Sequence, residues 1–345
     1  MNYTVTVNKL TQKEWESKSD RFEDKNLYQT WAYQNARVQG KNQELSYIEI
    51  ADKKGHSCLM AIVRISKVPL FGLRVGYIQG GPLLRRKNHQ PERDQELLAL
   101  LRSRCLSGIV QILRMVPNLY TNEVPENYSE TLVAAGFSPY KRIKPYHTIL
   151  FPLDITEEEM RKRLHTKWRA TLRRAERKRM ETDESENVQQ LFELEKMYLK
   201  SQTKKGFKGL DIGQFVQIQE KLLETQKLNM VLIKKRQEIL SIDVNSYLGD
   251  TALGLFQATS EEGFSLGASY QAWWQTFVAA RNAGMKRYDM GGIDPEKNPN
   301  VYKFKARMGG DEVFGIGVYD AYANVYAKWI GSLASYAYSK LKKSS

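Results

Sequence analysis

The scarcities of this 345-residue chain narrow its chemistry before any motif is considered. Its two cysteines, Cys58 and Cys105, have no CxxC spacing, so neither a disulfide framework nor a thiol metal site is indicated. Its four histidines (His56, His89, His147 and His165) are scattered and form no HExxH or similar ligand set, so no metal or other cofactor is expected. A GxSxG elbow and a cysteine–histidine arrangement are both absent, which leaves no evident enzyme nucleophile. No run approaches about eighteen apolar residues, which argues against a membrane span. The opening MNYTVTVNKLTQKEWESKSD has no apolar signal-peptide core, so a cytoplasmic protein is expected.

What the chain has in excess is positive charge. A net charge of +14 favours anionic partners such as nucleic acid, nucleotide or lipid phosphates. The surplus is concentrated in MRKRLHTKWRATLRRAERKRM, residues 160–180, where ten Lys or Arg residues meet a single acid, Glu176. Met160, Leu164, Trp168, Leu172 and Ala175 recur at helical spacing, which predicts one helix docked by this stripe. Lys167, Arg169, Arg173, Arg174 and Arg177 are then the candidate phosphate contacts. Asp154 or Thr156 suits the N-cap, and Glu157 to Glu159 suit the positive end of the helix dipole. The acidic ETDESE that follows reads as a loop.

One pattern occurs on both sides of this helix. Upstream, LSYIEI, SCLMAIVRI and RVGYIQGG read as strands, followed by the helix ERDQELLALLRSRC and the strand GIVQILRM. Downstream, NMVLIKK, ILSIDVNSYL and TALGLFQATS precede the helix SLGASYQAWWQTFVAARNAG, with Gly284 as its C-cap, and the strand KRYDM. The order β-β-β-α-β appears twice, so the expected class is α+β with two sheet-plus-helix lobes, 1–153 and 154–319, facing a cleft. Residues 320–345 read as a helix packing back on the first lobe. Its Lys-Lys end leaves contact with a membrane surface open.

The stretch RYDMGGIDPEKNPNVYKFKARMGG, residues 287–310, does not read as ordinary packing. A short strand runs into Gly291-Gly292, crosses a loop, and ends in Phe304-Lys305 before Gly309-Gly310. Paired glycines permit positive φ and close approach of a ligand to the backbone. A lysine beside them can neutralise a phosphate or a developing oxyanion. Asp289 could accept a proton, although an aspartate at such a strand end more often caps the turn.

YDMGGID followed by YKFKARMGG, with TKWRATLRRAERK and SYQAWW upstream, resembles the Fem-type peptidyltransferases, relatives of the GNAT acyltransferases built from two GNAT-like lobes. The resemblance is strong over about 155–320 and weaker before it. It implies transfer of an amino acid from aminoacyl-tRNA to an amine on the stem peptide of a UDP- or lipid-linked peptidoglycan precursor. It also implies a monomer, and peripheral contact with the inner membrane face where the precursor is lipid-linked. Segment 185–227 has room for ordinary helices only, so no coiled-coil arm is expected.

Carried onto this sequence, the resemblance implies Lys305, Asp289 and Tyr288 as catalytic residues. Arg37, Gln29, Lys208, Gly291, Gly292, Tyr302 and Phe304 fall on substrate-binding positions. Where members often carry Tyr-x-Gly-Ser, this chain has Phe256-Gln257-Ala258-Thr259, which leaves the acceptor open. The alternatives are a GNAT-like enzyme using acyl-CoA and a non-catalytic RNA- or membrane-binding protein. EEGFSLGASY lacks the usual CoA phosphate-loop pattern, which counts against the first, and the glycine and Phe-Lys constellation has no place in the second.

Overall fold

A computed structural model describes residues 3–68, 72–87, 89–205 and 211–331. They form two compact units. Among the described residues the first comprises those within 3–22, 28–146 and 314–331, and the second those within 23–27 and 147–313. Each unit holds one seven-stranded mixed sheet.

In the first sheet, β1 (Tyr3–Val7), β2 (Gln43–Asp52), β3 (Ser57–Val68) and β4 (Leu73–Gln79) run antiparallel to their neighbours. The helix Asp94–Leu106 then crosses over to β5 (Ile112–Val116), which pairs parallel to β4. The remaining strands are β6 (Ser138–Pro139) and β14 (Tyr319–Tyr322), and β14 lies between β5 and β6. Leu97, Leu98 and Leu101 of the crossover helix are buried on Ile48, Ile50, Leu59 and Val63 of the sheet. Each such side chain contributes roughly 1.5–3 kcal/mol on burial.

The second sheet repeats the plan. β9 (Asn229–Lys235), β10 (Glu238–Leu248) and β11 (Thr251–Thr259) form an antiparallel meander. The helix Ala268–Asn282 then leads to β12 (Arg287–Asp289), parallel to β11. The edges are β13 (Asp311–Phe314) with β7 (His147–Pro152) on one side and β8 (Glu181–Ser185) on the other. The β-β-β-α-β order read from the sequence is therefore present twice, with one parallel strand pair in each sheet. The helices Gln189–Lys205 and Ile212–Lys221 occupy the segment where an arm would insert, with 206–210 outside the described residues. Phe151, Phe277, Trp274 and Tyr288 fill the core together with Trp168 and Leu172 of the basic segment.

Several local expectations are corrected. His147–Pro152, assigned to the first lobe, pairs with β12 in the second sheet, because its buried run HTILFP needs cover on both faces. ETDES is a strand, not a loop. Its carboxylates are matched by the polar side chains of β9, with Lys234 Nζ 2.6 Å from Asp183 Oδ2, so a charged sequence is tolerated at a sheet edge. The basic segment is two helices, Glu157–Arg163 and Thr166–Glu176, interrupted at Leu164-His165. Thr156 forms a capping box with Glu159 on the first, and His165 caps the second. At the C-terminal end, Tyr319–Tyr322 is strand and helix starts only at 325. Ala327 and Ile330 pack with Leu73 and Ile112 of the first unit, and 332–345 lie outside the described residues. Among the described residues no helix is long and apolar enough to cross a membrane.

Phe304-Lys305 lie on a helix, Pro299–Ala306, rather than in a loop. Pro299 sits in its first turn, where a missing N–H costs nothing. Just beyond it, Gly309 (φ +82°) lies where a Cβ would come 2.1 Å from Arg163 O, and a Cβ on Gly310 would come 2.6 Å from Leu150 O. This second glycine pair is therefore a packing device, not part of a ligand-facing floor. Gly309→Ala combines a left-handed φ with a backbone clash, so it should cost about 3 kcal/mol or more. Gly284→Ala, also at positive φ but in open space, should cost about 1–2 kcal/mol. Urea unfolding compares the two, and equal losses would remove the packing role given to Gly309.

Candidate active site

Tyr288 and Asp289 end β12, and the chain turns at Gly291 with φ +77°. A side chain there would be strained by its backbone, and a Cβ would already stand 3.0 Å from Gly254 O of β11. Asp289 holds the turn: its Oδ1 accepts from the Gly291 N–H at 2.8 Å and from the Thr148 hydroxyl. Thr148 also lies 3.1 Å from Gly291 O. This is the turn-capping role that the sequence offered for Asp289 beside that of proton acceptor.

Lys305 meets this turn from the helix Pro299–Ala306. Its ammonium donates to Gly291 O at 3.2 Å and to Gly292 O at 3.4 Å, and lies 5.9 Å from the centroid of the Trp273 ring. Burial pushes its pKa down from 10.5 to about 8, against the pull of the nearby Asp289 carboxylate, which raises it. The cation is thus held by carbonyl dipoles and a ring face, in a partly desolvated place where a charged group acts strongly on a neighbour.

The other expected residues divide into those at the surface and those committed to the fold. Tyr288 is 2% exposed, its hydroxyl bonded to Asn245 Oδ1 and its ring packed on Phe277 and Trp273. It supports the strand end and has no access to a substrate. Gln29 is also structural, correcting its substrate-binding assignment. It is fully buried, donates to Gln79 O at 2.7 Å and accepts from Ile62 N at 2.8 Å, so both ends of its amide are used. Tyr302 donates to Glu312 Oε2 at 2.9 Å and ties the lysine's helix to β13. Phe304 is half-buried, 5.1 Å from Tyr270 and 6.0 Å from Trp168 between ring centroids. Lys208 lies outside the described residues.

Of the candidate phosphate contacts, Lys167, Arg173, Arg174 and Arg177 are exposed. Arg169 is half-buried, and its guanidinium donates to Arg161 O at 3.3 Å, capping the preceding helix instead. Arg37, in the first unit, is half-buried on the helix Trp31–Val38, beside Arg64 of β3. Burial first and Arg37 second push the Arg64 pKa down. Arg64 stands 5.2 Å from the Tyr77 ring centroid and donates to Gln34 Oε1 at 3.2 Å.

Thr148, Gly254, Trp273, Arg64 and Tyr77 were not found from the sequence. Thr148 and Asp289 are 141 residues apart, so no local spacing signals their contact. Arg64 left a trace, as the one cation inside the apolar run SCLMAIVRI.

Lys305 carries a stability cost with a definite sign. Between pH 8 and 10.5 the unfolded chain binds a proton on Lys305 that the folded chain has lost. Stability therefore rises with pH across that window, and the full cost applies below it. Lys305→Met should stabilise the protein at pH 7 by about 1–3 kcal/mol, a range discounted because the ammonium still meets solvent. Denaturant titrations at pH 7 and pH 10.5 test this. An equally large gain at both pH values would mean that the effect is not ionic.

The profile of the FemAB family matches residues 177–330, a span containing β12, the Gly291 turn and Lys305. The structure is similar to the crystal structure of FemX, with a TM-score of 0.77 and 18% identity over 92% of this chain and 97% of that one. It is also similar to a conserved protein of unknown function from Bacteroides thetaiotaomicron, with a TM-score of 0.59 and 10% identity over 92% and 99% of the two chains. L-PGS from Bacillus licheniformis follows at 0.53, with 15% identity over 90% of this chain and 91% of that one. No curated protein sequence matches. The fold is similar to that of FemX, and the segment that carries the glycine turn and its lysine is the one the FemAB family profile matches.

Proposed function

We propose that this chain is a Fem-type aminoacyltransferase, moving an amino acid from aminoacyl-tRNA to an amine on the stem peptide of a peptidoglycan precursor. The observation that carries the reading is Lys305, a partly desolvated ammonium held on the carbonyls of the Gly291-Gly292 turn within the FemAB segment. In the proposed reaction the acceptor's neutral amine attacks the ester carbonyl and the new C–N bond forms. The ester C–O bond breaks, the ribose hydroxyl departs, and the proton lost by the amine balances the one that hydroxyl gains. No enzyme nucleophile is required; the demands are positioning and stabilisation of the tetrahedral oxyanion. The ammonium of Lys305 supplies that stabilisation. The site of action would be the cytoplasm, at the inner membrane face where the precursor is lipid-linked.

The test is transfer of a radiolabelled amino acid from aminoacyl-tRNA to a soluble UDP-linked precursor. Lys305→Ala should lower kcat/KM by about 100-fold or more, the scale of losing one oxyanion donor. Lys305→Arg should retain part of the activity, because it keeps the charge. Wild-type transfer with an alanine variant within about twofold of it would remove Lys305 from the reaction.

A further inference from the structure

A group of four polar side chains joins the helix Ala268–Asn282 to the second sheet, and one of the four is the Trp273 indole. Asp243 of β10 and Gln257 of β11 stand directly opposite each other across the ladder. Trp273 and Thr276 are three residues apart on the helix and so share a face. The Thr276 hydroxyl donates to Asp243 Oδ2 at 3.3 Å, and the Trp273 indole N–H donates to Gln257 Oε1 at 2.7 Å. The indole itself packs on Phe277 and Tyr288, 5.8 and 5.9 Å away between ring centroids. Gln257 is held from the other side as well, because the Tyr198 hydroxyl donates to its backbone carbonyl at 2.8 Å.

Packing alone does not ask for this arrangement. Asp243 is 3% exposed, and burial pushes its pKa up from 3.8 to about 7, while the Gln257 and Thr276 side chains pull it down. Asp243 Oδ1 and Gln257 Nε2 are buried, and neither has a hydrogen-bond partner of ordinary geometry among the described residues. Apolar side chains at 243 and 257 would fill the same layer with no carboxyl to desolvate, so the pair needs a reason beyond burial. That reason lies on the face of the indole. The Lys305 ammonium stands 5.9 Å from the centroid of the ring whose N–H Gln257 holds.

We propose that Asp243 and Gln257 are positioning residues for Lys305 and act through Trp273. The Asp243 carboxyl steadies the Gln257 amide, the amide oxygen takes the indole N–H, and the indole then offers its face to the ammonium at a fixed angle. Without that acceptor the indole is free to turn about its side-chain bonds, and the cation loses one wall of its surroundings. The desolvation of Lys305 is thus set from the layer between helix and sheet, by residues that do not touch it. The inference deepens the reading above and rests on it for the reaction that Lys305 serves. The ionisation of Lys305 is readable whatever that reaction is, so the two can fail separately.

Two readouts on the full chain test it: the Lys305 titration, by NMR of ¹³C-labelled lysine side chains, and amino-acid transfer from aminoacyl-tRNA to a UDP-linked precursor. Gln257→Leu keeps most of the bulk and removes the acceptor. It should raise the Lys305 midpoint by about 0.5–1 pH unit from its value near 8, and lower kcat about tenfold with KM within about twofold. Trp273→Phe, which keeps a ring but has no N–H, should do the same, and adding Gln257→Leu to it should cost nothing further. Asp243→Ala should lower kcat by about threefold to tenfold, and Asp243→Asn, which keeps an acceptor for Thr276, should recover most of that loss. A Lys305 midpoint unmoved by Gln257→Leu would overturn the proposal even if kcat fell, because a merely structural loss leaves the ammonium as it was. Losses that multiply in the double variant would also overturn it, since Gln257 would then act by a route other than the indole. If the wild type transfers no amino acid, the reaction assigned above fails and the midpoint alone decides this inference.

Discussion

An ammonium group held against two backbone carbonyls organises the second unit. Lys305 can reach Gly291 O and Gly292 O only because the chain turns sharply at the end of β12, and the turn requires a left-handed residue closely packed on β11. Asp289 and Thr148 fix that turn by hydrogen bonds, Tyr288 anchors the strand beneath it, and Trp273 covers one side of the cation. Each of these residues is better explained by the position of the lysine than by its own chemistry. A buried cation is costly, and its cost here is offset by carbonyl dipoles and a ring face rather than by a tight salt bridge. The ammonium therefore remains available to an incoming oxyanion.

The helix that delivers Lys305 explains why the chain is basic where it is. Its two sides face different surroundings: the lysine meets the glycine turn, while Lys303 and Arg307 meet the basic helix across an aromatic floor. Pro299 stands in the first turn of that helix, and just beyond its end Gly309 packs tightly against Arg163. Positive charge in this unit is thus arranged by packing, with Trp168 buried and the cations around it left outward.

Much of the architecture was legible in the sequence because strands and crossover helices are written in local periodicity. The doubled β-β-β-α-β order, Gly284 at a helix end and the buried Trp168 stripe are local signals of this kind. The misread elements are those decided by distant partners. Glu181–Ser185 is a strand because β9 offers it a ladder and a matching lysine, and neither lies within forty residues of it. The break at Leu164-His165 separates two helices that share one buried stripe, so the periodicity runs through it unchanged. At the site, Lys305 and the glycine turn could be singled out from sequence, but a conspicuous motif does not distinguish residues that touch a substrate from those that support them. Tyr288 and Gln29 belong to the second group, as their burial and fully used polar atoms show.

The account stands on Lys305 being an ammonium whose proton is loosened by burial, and this is directly measurable. Selective ¹³C labelling of lysine side chains, with Lys305→Arg used to assign the resonance, would follow its titration by NMR. The account predicts a midpoint near pH 8, well below the surface lysines. A midpoint in the ordinary lysine range near 10.5 would mean that the ammonium is solvated, and the desolvated cation proposed as the chemical centre would not exist.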